Sequence, residues 1–224
     1  MNDQYSLLCC GISILPLVFS AGIFIGFSVK SKYRERVVLN QSQSEASVRK
    51  LIISNFKTPN YYLLNNITLP IPDGTTQIDH ILISTKGIFV IETKHYFGGI
   101  AGDATAKQWT HFVYKFKRRF QNPIHQNYRH VKTIEQILDF IPKEHIHSIV
   151  VFSGNAIFRS PIPQGVLYLK NLVNYLNTYQ EYVITINRVE FCVGRLECKR
   201  YDTTKATDIQ HRGNLAKRFG NSIK

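Results

Sequence analysis

The chain has 224 residues, 44% of them hydrophobic, which is enough to close the core of one domain of about 150 to 200 residues with appendages. A formal net charge of +13 and a pI near 9.7 point to a polyanionic partner, either nucleic acid or an anionic membrane surface. The four cysteines form no C-x-x-C pair, and no phosphate loop, helicase motif or HExxH pattern occurs, so a zinc ribbon, a redox motif, a nucleotide-driven motor and a zincin are excluded.

Taken in chain order, residues 6–29 carry no charge and consist mainly of Leu, Ile, Val and Phe. A spanning helix needs about 20 such residues, so residues 1–29 are expected to hold one transmembrane helix. Lys30, Lys32, Arg34 and Arg36 follow it in a basic juxtamembrane linker, residues 30–40. The positive-inside rule then predicts a single-pass membrane protein with everything beyond on the cytoplasmic side. A cleaved signal peptide fits less well, because no basic segment precedes the apolar run and the run is too long.

Residues 41–57 read as a helix with Val48, Leu51, Ile52 and Phe56 on its apolar stripe. Residues 61–69 read as a strand ended by a Pro-Ile-Pro-Asp-Gly turn, and residues 76–94 as a hairpin. Residues 108–117 suggest one short strand, alternating Phe112, Tyr114 and Phe116 with Lys115 and Lys117, followed by Arg118 and Arg119. A helix over 124–140, bearing Arg129 and Lys132, stops before Pro142, and 147–152 is a fully apolar strand. The order is α-β-β-β-α-β, an α/β (α+β) fold with a mixed sheet flanked by helices, its core over 41–155. An extension over 156–200 contains a strand near 165–169, a short helix near 172–176 and a helix within 180–199. A basic tail, 201–224, is expected to be flexible, to contact nucleic acid or to rest on the membrane.

Three polar residues interrupt the apolar hairpin: Asp79, Glu92 and Lys94. With Lys86-Gly87 as a two-residue loop, Thr85 pairs with Ile88 and Asp79 with Lys94. Strand side chains alternate faces, so the three converge on one side, with Asp79 and Glu92 as diagonal neighbours roughly 7–8 Å apart at the backbone. Two carboxylates and the Thr93 backbone carbonyl suit a hard cation, Mg²⁺ or Mn²⁺, and Lys94 can orient or help deprotonate a water or stabilise phosphate charge. A structural ion pair at a sheet edge is the competing account of the same residues. The basic residues Lys115, Lys117, Arg118, Arg119, Arg129 and Lys132 form a candidate nucleic-acid surface.

Residues 77–80 (Gln-Ile-Asp-His) and 86–94 (Lys-Gly-Ile-Phe-Val-Ile-Glu-Thr-Lys) resemble the nuclease-related domain (NERD) family, within the PD-(D/E)xK nuclease-like superfamily. Gly98-Gly99-Ile100-Ala101-Gly102-Asp103, Trp109-Thr110, the Asn-Pro-x-x-Gln of 122–126 and Ser44-Glu45 continue the resemblance over about 41–155. The resemblance implies a restriction-endonuclease-like core. It implies that Glu45 approaches the metal, directly or through a water, and that Gln126 positions substrate or water beside Asp79, Glu92 and Lys94. Ile78 stands where a Pro often precedes the Asp, and Ser44 where Gly is expected before the Glu; neither change removes a ligand. The expected function is a membrane-anchored, metal-dependent nuclease acting on DNA, with RNA as the second choice. A non-catalytic nucleic-acid-binding membrane tether is the alternative, and a basic domain held on anionic lipid a third reading.

Overall fold

The computed structural model describes residues 43–202, 207, 209–211 and 213–214. The expected membrane segment and linker lie outside the described residues, among which no helix is long and apolar enough to cross a membrane.

Helix α1 (43–55) buries Val48 and Ile52, with Phe56 just beyond its end. Strands β1 (Tyr61–Ile71), β2 (Gly74–Ser84) and β3 (Gly87–His95) form an antiparallel meander. Three short strands follow: β4 (Gly98–Ala101), β5 (Gln108–Val113) and β6 (Phe116–Gln121). Helix α2 (Pro123–Ile137) then crosses back to β7 (Ile146–Ser153), which lies parallel to β3. Strands β8 (Ala156–Phe158) and β9 (Val166–Tyr168) and helices α3 (Leu172–Leu176) and α4 (Ile186–Lys199) complete the described chain.

The strands make two mixed sheets, ordered β1-β2-β3-β7-β9 and β6-β5-β4-β8. One face of the larger sheet presents Ile81, Ile83, Ile88 and Val90 to a core that includes Val131 and Ile134 of α2 and Val189, Cys192 and Leu196 of α4. The other face presents Leu82, Phe89, Ile91, Ile149 and Val151 to α1 and α3. Both faces are covered, which is why β2, β3 and β7 read as continuous apolar runs. The smaller sheet continues the β3–β7 pair: Tyr96 N donates to Ser153 O (3.3 Å) and Gly98 N to Asn155 O (3.2 Å), carrying the parallel pairing into β4–β8. Trp109 packs beneath this sheet on Phe152, ring planes 9° apart. A Cβ on Gly102 would collide with the Trp109 indole, so the small residue there is a packing requirement.

Several sequence expectations are corrected. The single strand over 108–117 is two strands, because Tyr114 adopts a left-handed conformation (φ 52°) and Tyr114-Lys115 turn the chain between Val113 and Phe116. The single sheet is two, since β4, β5, β6 and β8 pair among themselves. The helix expected within 180–199 begins at Ile186; Val183 and Ile184 instead donate their N–H groups to Thr85 O (2.8 and 3.0 Å). Helix α2 ends at Ile137 rather than 140, capped by Leu138. In the tail His211 is buried, its Nδ1 2.9 Å from Thr75 Oγ1, so at that position the tail packs on β2.

The hairpin register is also corrected. Ser84 pairs with Gly87, so Thr85-Lys86 form the loop and the ladder runs to His80 opposite Ile91. The Ser84 hydroxyl takes the Lys86 N–H (3.2 Å) and donates to Gly87 O (3.0 Å), and Gly87 tolerates φ 133°. The shift is two residues. It brings Asp79 opposite Glu92 instead of Lys94, and it leaves every side chain on the expected face.

Candidate active site

Asp79 sits where the large sheet divides. Beyond His80, β2 remains paired with β1 alone, and beyond Ile91, β3 remains paired with β7 as far as His95 and Ser153. The β1–β2 ladder is also interrupted at that level. Asn65 pairs with His80 and Ile67 with Ile78, but the intervening Asn66, opposite Asp79, is left-handed (φ 51°). Asn accepts that conformation more readily than most side chains, and such local strain clusters where a site must be shaped. The fork frees backbone on both strands. Thr93 N donates to Asp79 Oδ2 at 2.7 Å, spanning the gap. A strand residue directs its N–H and C=O to the same side, so the Thr93 carbonyl also faces the fork.

Helix α2 covers the fork. Asn122 caps it, accepting from Ile124 N (2.9 Å) while its Nδ2 donates to the carbonyls of Asp103, Ala104 and Ala106 (3.2, 3.2 and 2.7 Å). Pro123 occupies the first helical turn, where its missing N–H costs nothing. Gln126 then projects to Lys94, whose Nζ donates to Gln126 Oε1 at 2.9 Å and to Glu92 Oε1 at 2.6 Å. One turn on, His130 Nε2 lies 3.2 Å from Glu92 Oε2, but misaligned, so neither buried atom completes a hydrogen bond. His130 Nδ1 is held 2.9 Å from Thr76 Oγ1. Asn127 between them is fully buried and reaches into the sheet, donating to Val90 O, Ser148 Oγ and Ile149 O (2.9, 2.8 and 3.1 Å).

The structure therefore brings together Asp79, Glu92, Lys94 and Gln126. Glu45 approaches from α1 closely enough for its charge to act on Asp79. Burial, then Glu92 and Glu45, raise the Asp79 pKa well above the ordinary carboxylate range, against Lys94 and the Thr93 N–H. Burial also disfavours the Glu92 charge, yet Lys94 and His130 outweigh it and hold Glu92 at about 2. For Lys94, burial is outweighed by Glu92 and Asp79, so its pKa is raised. With no ion in the site, the two carboxylates thus favour the ammonium form of Lys94.

The donor set fits a hard divalent cation. Asp79, Glu92 and the Thr93 carbonyl offer oxygen, Glu92 Oε2 is a buried acceptor without an aligned donor, and neighbouring carboxylates repel one another. Among the described residues no three His, Cys, Asp or Glu side chains form a metal-holding group by themselves. A Mg²⁺-type ion needs only one or two carboxylates, completed by water and substrate phosphate.

The basic residues do not form one surface. Lys115 is in the β5–β6 turn, and Lys117 and Arg119 lie on the opposite face of β6 from Arg118. Lys132 is paired with Glu135 (2.6 Å) and lies over the Tyr128 ring. Arg129 lines a cavity of about 290 Å³ with Gln77, Gln121, Gln126 and His130, beside the carboxylates. A larger cavity, about 890 Å³, opens between α1 and the β8–β9 region, and none of Asp79, Glu92 or Lys94 lines it.

Sequence reasoning missed His130, Thr76 and Asn127. The signal for His130 was the i, i+4 spacing from Gln126, which places both on one helical face. His80 and His95 flank the core, His80 Nδ1 lying 2.7 Å from Asn65 Oδ1 and His95 Nδ1 3.0 Å from Ser153 Oγ. Ser44, in place of the expected glycine, is buried with its hydroxyl hydrogen-bonded to Ser153 Oγ.

A sequence model described as the nuclease-related domain matches residues 40–153. An uncharacterized protein of Bacillus anthracis is 36% identical over 152 residues, which cover 63% of this chain and 68% of that relative. No solved structure matches.

Proposed function

We propose that this chain, which belongs to the nuclease-related domain family, is a metal-dependent nuclease that hydrolyses phosphodiester bonds, with DNA as the first candidate substrate. The observation that carries this reading is the convergence of Asp79, Glu92, Lys94 and Gln126 at the fork between β2 and β3. A tether with no chemistry has no use for two carboxylates held in repulsion beside a partly buried ammonium.

Asp79, Glu92 and the Thr93 carbonyl would hold Mg²⁺ or Mn²⁺, with Glu45 reaching it directly or through a water. When bound, the ion supplies charge neutralisation at the phosphate and acidifies water. Glu92, ionised far below neutral pH, offers a permanent anion at the site. Lys94 places its ammonium where negative charge develops on the phosphoryl oxygens, and Gln126 fixes its direction. Attack by a water oxygen forms one P–O bond as the bond to the 3′ oxygen breaks, giving a 5′-phosphate and a 3′-hydroxyl. The charge-free segment 6–29, with basic residues after it, supports a membrane anchor that keeps this domain on the cytoplasmic side.

The test is incubation of the purified full-length chain with plasmid and with single-stranded DNA, with Mg²⁺, Mn²⁺ or chelator. Metal-dependent cutting is expected, falling by about 100-fold or more in Asp79→Asn and in Lys94→Ala, a size usual for loss of a transition-state charge partner. Salt-sensitive binding with no cutting under either metal would sink the enzyme and favour the non-catalytic tether.

A further inference from the structure

The outward face of the smaller sheet takes no part in the chemistry above. Strand register sorts its side chains. Ile157, Gly99, Phe112 and Lys117 form one row across β8, β4, β5 and β6, and Ala101, Thr110 and Arg119 form part of the next. Trp109 and Phe120 point the other way, into the core. On the outward face the Arg159 guanidinium lies 4.7 Å from the Phe112 ring centroid and Lys117 Nζ 5.7 Å from it. Gly99 permits this arrangement, since a Cβ there would collide with Arg159 Nε. None of the four strands contains an Asp or Glu.

Along β6 the same face continues from Lys117 to Arg119 to Gln121, in steps of about 6.6 Å. Gln121 lines the cavity of about 290 Å³ that Gln126, Arg129 and His130 also line. Gln126 in turn holds Lys94. An open sheet face bearing cations and an aromatic–guanidinium pair therefore runs to a cavity whose Gln126 and His130 contact Lys94 and Glu92.

We propose that this face is a track for single-stranded polynucleotide, with Lys117 and Arg119 on its phosphates and the Arg159–Phe112 pair stacking an unpaired base. The proposal deepens the nuclease reading and rests on it. A flat face with stacking planes suits bases that are not paired, whereas a duplex hides its base faces. The cations sit around an aromatic ring within the sheet, and the exit is polar, which fits a nucleic acid better than a lipid surface. Phe116, which is exposed near the hairpin tip, lies on the opposite face.

Binding separates this proposal from catalysis. Full-length Asp79→Asn chain is titrated against a labelled single-stranded oligonucleotide and against a duplex of the same sequence, over a range of salt. Single strand is expected to bind at least about ten-fold more tightly. Lys117→Glu with Arg119→Glu should weaken it about ten-fold or more and flatten its salt dependence by roughly two phosphate contacts. Phe112→Leu should weaken it about five-fold or more with the salt slope unchanged, the signature of lost stacking. Lys132→Ala, whose ammonium is already paired with Glu135, should stay within about two-fold. Thermal melts of each variant establish folding, and the exposed Lys117 and Arg119 are safe to reverse. Equal affinity for duplex overturns the proposal, as does single-strand binding indifferent to the Lys117 and Arg119 reversal. So does a result in which that reversal abolishes binding to phosphatidylserine vesicles and spares the oligonucleotide. Plasmid cutting by the unmodified chain is scored separately. If cutting persists while the binding predictions fail, the track is wrong and the nuclease reading stands.

Discussion

Asp79 is held against its own charge. Burial, Glu92 and Glu45 raise its pKa, so the folded protein favours the protonated form and is penalised where the unfolded chain would ionise freely. A group raised in this way stabilises the fold below its unfolded pKa and loses that contribution as pH rises. Asp79→Asn removes the repulsion and keeps an oxygen for the Thr93 N–H. In chelator at neutral pH it should therefore raise stability by about 1 kcal/mol, or Tm by about 2–4 °C, whereas with Mg²⁺ present the same change lowers cutting. Trp109, buried and the sole tryptophan, reports this by fluorescence, and an unchanged or lower Tm would contradict it. His80 works with the opposite sign. Burial pulls its pKa from 6.5 to about 4, with Arg49 assisting and Glu92 opposing. Between those values the unfolded chain binds the proton and the folded one does not, so stability is whole above pH 6.5 and falls toward pH 4. The loss should approach about 3 kcal/mol, and His80→Asn should flatten denaturation midpoints across that window.

At the scale of elements, the fork between β2 and β3 is maintained from above by α2. The Asn127 side chain answers carbonyls of both β3 and β7, and no apolar residue of similar size can do so. Asn127→Leu should cost about 2–3 kcal/mol and lower Tm by about 5 °C or more, through buried carbonyls left without donors. A melt within 1 °C or so of the parent would show that the strands satisfy themselves. The Asn-Pro-x-x-Gln segment is now resolved into separate tasks: Asn122 clamps the loop carbonyls of Asp103, Ala104 and Ala106 and starts the helix, Pro123 sets its first turn, and Gln126 aims at Lys94. The hairpin was legible as an element because alternation is local. Its loop was not, because Ser84 bonding to Gly87 O and Lys86 N competes with the apparent Lys-Gly turn.

Across the whole molecule, the β3–β7 pair is shared. One stretch of it builds the large sheet, and its continuation as β4–β8 builds the small one, so the carboxylates and the basic face lie on connected strands. The net charge of +13 announced a polyanionic partner without saying where it binds. Pairing β5 with β6 divided the basic run between two faces, separating Lys117 and Arg119 from Arg118. What the amino-acid order by itself determined is the common face of Asp79, Glu92 and Lys94. A strand repeats every two residues, so that result survives a register shift of two. Only the tertiary structure decided that Asp79 faces Glu92, that the sheet parts there, and that His130 joins the expected Gln126 in closing over it. The first follows from the Ser84 bonds in the hairpin loop; the last joins segments more than 30 residues apart in the chain and is set by which apolar faces pack together and which buried polar atoms must find partners.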